Sequence, residues 1–486
     1  MRIKYLPKSI TISLTLLLSG LLLVSPQALT FIEAAAQELR EHILHNRPSP
    51  SPNINDPNLE VEEVFEGLEL PTSMAFLGED DILVTEKDSG RVQRIVDGEM
   101  QEEPVIDVQV ANNDERGLLG IDISNTNGTG QYVFLYFTES GGGEDGDDWS
   151  EGIPPAGTRL YRYNIVPGIG EDAQMQLTDE TLLLDLPATP GPRYHGGPVA
   201  IGPDNNVYVV IGTLDHHETQ AQNFEDGPEP DGTSGVMRIT QEGDEADIQG
   251  IISDETPLNL YYGYGIRQSF GMEFDPVTGN LWDTENGNTE YDELNLVEAG
   301  FNSGWRDVSG LAERASDLDI EEDLVDFDGR GRYSDPEFTW QQTVAPTGLD
   351  FLDSSALGAE YQNDLFVGDY NNGNLYHFDL NGDRTQLILE GGVADRALDP
   401  GDEVGNILFG TGFGGITDVK VGPDGYLYVL TFQDDGGSIF RIVPDDIDTE
   451  DDDADGAEAV EETADDTGVP SFTQVLAERV TRHFVN

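Results

Sequence analysis

The chain has 486 residues, with 95 acidic against 24 basic side chains and no cysteine, for a formal net charge of -71. That charge repels nucleic acid, and the lack of cysteine excludes disulfides and thiolate metal sites. Beyond residue 8 the only lysines are Lys87 and Lys420; self-repulsion on this scale is tolerable where salt shortens the Debye length to roughly 3 Å at about 1 M, so the composition predicts a protein adapted to brine.

At the N-terminus Arg2, Lys4 and Lys8 precede an apolar run from Ile10 to Val24, followed by Ala34-Ala35-Ala36. This pattern predicts a signal peptide over residues 1–36, or an uncleaved anchor that would tie the protein to a membrane. Either reading predicts a secreted or extracytoplasmic protein. Residues 37–58 are polar and proline-rich and read as an extended linker.

From residue 59 to 444 short β-branched and aromatic runs alternate with Gly, Asp and Asn turns, and long amphipathic helical patterns are nearly absent. One phrase recurs six times with variation: an apolar strand, a turn, a second apolar strand and a small-residue exit. Two copies are PVAIGPDNNVYVVIGT and VKVGPDGYLYVLTF, whose Gly-Pro-Asp turns suit hairpins because Gly and Asn tolerate positive φ. Six copies predict an all-β, six-bladed β-propeller, and their uneven spacing predicts long inter-strand loops. Residues 445–469 are too acidic and too poor in large apolar side chains to fold, so they read as a disordered tail. The apolar periodicity of residues 470–486 predicts a short amphipathic helix.

Chemistry concentrates between Tyr264 and Trp305, where a cation (Arg267), a glycine turn (Gly287) and paired acids (Asp292, Glu293) occur together. Other signals are thinner. His216-His217-Glu218 places adjacent histidines on opposite faces of an extended chain, and the DFDGRGRYSD run from Asp326 lacks the terminal glutamate of a calcium loop.

Several phrases together resemble the soluble glucose and sorbosone dehydrogenase family of six-bladed propellers that use pyrroloquinoline quinone (PQQ). They are LPTSMAFL with ILVTEKDSGRV, ERGLLGI at Glu115 to Ile121, HGGPVAIGPDNNVYVVIG from His195, the Tyr264–Trp305 segment, and PTGLDFL through LFVGDYNNGNLY to GGITDVKVGPDGYLYVLTF. The resemblance implies an aldose or related alcohol as substrate, PQQ and Ca²⁺ as cofactors, and an electron acceptor that the sequence leaves unidentified. It implies a histidine general base, for which His195 stands, with Tyr194 as the alternative because Tyr194 occupies the position two before Gly196-Gly197. Arg267 matches the family arginine at the reacting oxygens, Gly287 and Asn288 the backbone calcium ligands, and Asp292 and Glu293 the acidic pair behind them. Hard Ca²⁺ suits oxygen ligands, and a fixed cation suits developing negative charge.

The sequence departs from the family in the quinone clamp. Positions that carry cations in the family read Asn371, Gly415 and Thr417; Gln268 stands for an asparagine, Phe270 for a glutamine, and Glu115-Arg116 for the glutamine before GLLG. Charge compensation for a tricarboxylate then rests on Arg116, Arg193, Arg267 and Ca²⁺. Two other readings follow from these departures. One is a calcium-binding propeller that has lost PQQ and serves as a carbohydrate or protein binding module; the other is a calcium-dependent, lactonase-like hydrolase using Glu115, Asp215 and Glu285 on the propeller axis.

Overall fold

A computed structural model describes residues 51–445, apart from 125–131, 147–151, 169–173, 216–217, 247–251, 316–317, 403 and 434–435. The expected signal or anchor, most of the linker, the acidic tail beyond Asp445, the terminal helix and the His216-His217 pair lie outside the described residues.

Each recurring phrase folds as the first strands of one antiparallel sheet, and the described strands group into six sheets of an all-β propeller. The innermost strands are Pro71–Gly78, Leu118–Ile123, Val199–Ile201, Ser269–Phe274, Pro346–Phe351 and Gly415–Val421. They touch in that order, and the last returns to the first. The ring is closed by chain topology: Leu59–Leu68, the first long strand, pairs with Gly436–Pro444 at the outer edge of the last sheet. Among the described residues, helix is confined to short turns such as Ile320–Asp323.

One expectation needs correction. Within the segment read as linker, Asn53–Ile54 pairs with Leu408–Thr411 and Ile54 is buried. An apolar residue beside an open strand edge gains by adding to the sheet, so the end of the linker is folded structure.

The Gly-Pro-Asp turns form the expected hairpins. Gly202 N–H donates to Asn206 O at 2.9 Å and Gly422 N–H to Tyr426 O at 2.9 Å, with Asn205 at φ 65° and Gly425 at φ 84°. In both, the turn aspartate accepts from a tyrosine hydroxyl four residues on: Tyr208 to Asp204 at 2.9 Å and Tyr428 to Asp424 at 2.8 Å.

Neighbouring sheets are stapled near the axis by aspartates. Asp122 accepts from Ile201 N–H at 2.8 Å, Asp350 from Val421 N–H at 2.7 Å, and Asp418 from Met74 N–H at 2.9 Å. Each carboxylate satisfies an amide on the next inner strand that has no ladder partner on that side. Lys420 sits among them and donates to Glu273 at 2.7 Å. Burial opposes its charge, but Glu273, Asp418, Asp350 and Asp122 together raise its pKa well above the ordinary value.

Candidate active site at the mouth of the central cavity

A cavity of about 460 Å³ opens where the inner strands converge, with Phe270, Tyr370, Phe432, Thr417, Lys87 and Glu115 among its lining. Both lysines beyond residue 8 touch it, since Lys420 lines it as well. Sequence reading noted their rarity without locating them. In a chain that has nearly discarded lysine, the positions that keep it were the available signal.

Lys87 organises one rim. Its ammonium pairs with Asp88 and donates to the carbonyls of Asn112, Asp114 and Arg116 at 3.3, 3.0 and 3.0 Å. Three carbonyls converging on one ammonium fix the loop that carries Glu115. Glu115 Oε2 then accepts from Tyr194 N–H at 2.6 Å and from Gln268 Nε2 at 3.0 Å. Gln268 is buried, and its Oε1 accepts from Gly196 N–H at 2.9 Å, so one amide side chain links three sheets. Burial raises the Glu115 carboxyl to a pKa of about 6, with Asp114 adding to the effect; Tyr194 N–H, Arg267 and Arg193 pull the other way.

Arg267 lies beside this rim, against Tyr194, without itself lining the cavity. Its Nη1 donates to Asn286 O and Gly287 O at 2.8 Å each, and its guanidinium lies 4.2 Å from the Tyr194 ring centroid and 5.3 Å from that of Trp305. Gly287 is required in this turn, because a Cβ there would lie 2.3 Å from Tyr291 O and 2.4 Å from Glu290 O. The turn therefore aims two successive carbonyls at one point, the hard-oxygen arrangement that suits Ca²⁺ as well as a guanidinium.

The acidic pair behind the turn is structural support. Asp292 accepts from Gly287 N–H at 2.8 Å, Val344 N–H at 2.6 Å and Ala345 N–H at 2.8 Å. Glu293 accepts from Gly310 N–H at 2.5 Å and Ser303 Oγ at 3.3 Å. Buried carboxylates are stable only when their lone pairs are used, and here backbone amides use them. Asp292 and Glu293 thus spend their oxygens on protein donors behind the turn and buttress it, so they are not placed as direct metal ligands. Asn288 is exposed on the turn itself.

The base is also corrected. His195 is fully enclosed, with Nε2 3.1 Å from Gly191 O and Nδ1 3.1 Å from Thr158 Oγ1, and it does not line the cavity. A carbonyl only accepts, so Nε2 carries the proton and Nδ1 accepts. Burial, with Arg116 nearby, lowers its pKa to about 3. The physical reason is local: Tyr194 and Gly196 adopt positive φ of 62° and 76°, and the turn they make sends the Tyr194 ring to Arg267 and the imidazole inward.

Of the expected quinone-clamp residues, Thr417 lines the cavity and Gln268 braces Glu115. The rest are committed elsewhere. Arg116 donates to Ala188 O at 2.6 Å and Gly191 O at 3.0 Å, half-exposed Arg193 pairs with Asp114 at 2.8 Å, and Asn371 Nδ2 donates to Thr343 O at 3.3 Å. The three carboxylates of the hydrolase reading do not form a metal-capable group among the described residues: Asp215 packs against Gly191, and Glu285 accepts from Arg267 N–H and Ser303 Oγ at 2.7 and 2.6 Å.

A family model described as Glucose / Sorbosone dehydrogenase matches residues 68–441. The chain belongs to this family. It is 25% identical over 387 residues to the aldose sugar dehydrogenase YliI of Escherichia coli, covering 79% of this chain and 92% of that protein. It is 28% identical over 401 residues to an uncharacterized protein of Synechocystis, covering 79% and 86%. The fold matches a Thermus thermophilus protein described as an oxidoreductase (glucose dehydrogenase), with a TM-score of 0.59 at 27% identity, covering 79% of this chain and all of that one. The PQQ-bound aldose sugar dehydrogenase of Streptomyces coelicolor matches at a TM-score of 0.57 and 20% identity, covering 82% and 100%, which bears on fold alone.

Proposed function

We propose that this chain is a sugar or alcohol dehydrogenase-like quinoprotein that oxidises an aldose or related alcohol with PQQ and Ca²⁺. The observation that carries the reading is a cavity with apolar and aromatic walls, lined by Glu115 and Gly196, beside which Tyr194 stacks on the buried guanidinium of Arg267 and that guanidinium meets the carbonyl turn at Asn286 and Gly287. The family's PQQ-using members support it, as does the ring of six inner strands, which we read as six blades. We also propose export and a high-salt setting, supported by the apolar run Ile10 to Val24 and the net charge of -71.

The donor set fits the two groups in different degrees. Carbonyl oxygens of the Gly287 turn suit Ca²⁺, and Phe270, Tyr370 and Phe432 suit a planar ring system. With the Lys87 ammonium saturated by Asp88 and three carbonyls, carboxylate compensation falls to Arg267 and the Thr417 hydroxyl. When bound, the quinone supplies the two-electron oxidant. The protein's part is to hold the alcohol oxygen near the Arg267 cation, which stabilises negative charge as the hydroxyl loses its proton, and to keep the site dry.

A second reading, a calcium-binding propeller that takes up carbohydrate or protein without PQQ, is favoured by one observation: the arginines Arg116 and Arg193 are engaged with carbonyls and with Asp114. One experiment separates the two. The full chain in molar salt is titrated with PQQ and Ca²⁺ while the quinone absorbance is followed, then assayed for dye reduction with a panel of aldoses. Uptake with sugar-dependent turnover supports the dehydrogenase. No uptake, with calorimetric binding of a glycan or protein, establishes the binding module instead.

A further inference from the structure

We propose that Glu115 is the catalytic proton acceptor of this site, taking the place of the enclosed His195. The inference rests on the dehydrogenase reading above and deepens it. Four observations on the molecule converge. Glu115 lines the cavity, whereas His195 does not. Its two oxygens are treated differently: Oε2 is pinned by Tyr194 N–H and Gln268 Nε2, and Oε1 has no hydrogen-bond partner among the described residues. The side chain is held from both sides, by the loop that Lys87 gathers and by Gln268. Finally, both nitrogens of His195 are engaged inside the blade, so that imidazole has no site at which to receive a proton from the cavity.

An acceptor must be ionised and within reach of the hydroxyl proton, and it works best with a pKa close to the working pH. Burial supplies the second property here, since Glu115 titrates at about 6. The charges around it are Asp114, which raises that value, and Arg267 and Arg193, which lower it. The Lys87 ammonium lies on the far side of the same loop, against the carbonyls of Asp114 and Arg116. The step balances as follows. The O–H and C–H bonds of the carbinol break and a C=O bond forms; the hydride carries two electrons to the quinone oxidant, and the proton goes to Glu115 Oε1. Arg267 offsets the charge on the oxygen as this happens. Glu115 returns the proton to solvent at the cavity mouth.

The test uses the full chain in two states. In the apo protein, the infrared difference between wild type and Glu115→Gln is expected to isolate one carboxylic acid component with an apparent pKa near 6. Carbodiimide with an amine should label Glu115, while diethyl pyrocarbonate should leave His195 unmodified until the protein unfolds. After loading with PQQ and Ca²⁺, Glu115→Gln should take up cofactor normally but lose about 10²–10⁴-fold in kcat and lose the acid limb of the kcat/KM profile. Glu115→Asp should recover part of both. Rapid modification of His195 in the folded apo protein, or an unlabelled Glu115, would overturn the proposal whether or not the chain uses PQQ. So would an acid limb that persists in loaded Glu115→Gln. If wild type takes up no PQQ while the apo measurements come out as expected, it is the dehydrogenase reading that fails, and with it the catalytic role of Glu115.

Discussion

The two lysines divide the central cavity into two regions that use similar groups to opposite ends. Around Lys420, every nearby aspartate is spent: Asp122, Asp350 and Asp418 each accept backbone amides of their own and the next inner strand, and the ammonium answers Glu273. Around Lys87 the ammonium is saturated, yet it gathers a loop whose glutamate keeps one oxygen open to the cavity. Saturated charge clusters on inner strands hold blades together. A cluster with one unused acceptor, placed on loops above those strands, is equipped to receive a ligand.

Breaking the axial cluster should have the largest effect. Lys420→Met leaves Glu273, Asp350, Asp418 and Asp122 without their cation in a buried setting, and is expected to cost about 3–5 kcal/mol. Chemical denaturation would check this, and adding Glu273→Gln should recover part of the loss. A Lys420→Met protein as stable as wild type would mean that the cluster is neutralised in some other way and the contrast between the two regions is false.

At Arg267, beside the cavity, the expected loss is in rate. Arg267→Lys keeps the charge but loses the planar donor that meets Asn286 O and Gly287 O and stacks on Tyr194. A fall of about 10²–10³-fold in kcat/KM is expected, with the melting temperature changing far less than for Lys420→Met. Equal damage to stability and rate would place Arg267 among the staples.

The smallest effect sharpens the staples themselves. Asp122→Asn should cost about 1 kcal/mol by removing one amide acceptor. Burial, with Glu273 adding, raises Asp122 to a pKa of about 7, while Lys420 opposes the shift. A carboxyl raised in the folded state binds its proton more tightly there than in the unfolded chain. Its contribution to stability is therefore full below about 4 and is lost as pH rises towards 7. Denaturation midpoints at pH 4.5 and 7.5 should differ less in Asp122→Asn than in wild type.

Much of this architecture could be read in the chain because it is local. The alternation of apolar runs with Gly-Pro-Asp turns specifies hairpins within a few residues, and six such phrases became the cores of six sheets. The Arg267, Gly287 and Asp292 unit was legible for the same reason, since three consecutive strands of one sheet and their turns carry it. What the pattern could not convey was the role of each group within the unit, because a carboxylate that binds a metal and one that caps amides look alike in sequence.

The sequence by itself determined the propeller, its turns, its acidic character and the neighbourhood of the Gly287 turn, all of which follow from periodicity and composition. Only the tertiary structure decided which residues face the cavity. Glu115 meets Tyr194 and Gln268 across separations of 79 and 153 residues, and Lys420 meets Asp122 and Glu273 across three sheets. His195 turned inward because the backbone choices on either side of it, at Tyr194 and Gly196, rotated it away. Side-chain direction in a closed ring depends on which distant strands are brought alongside, and that is settled only when the ring closes.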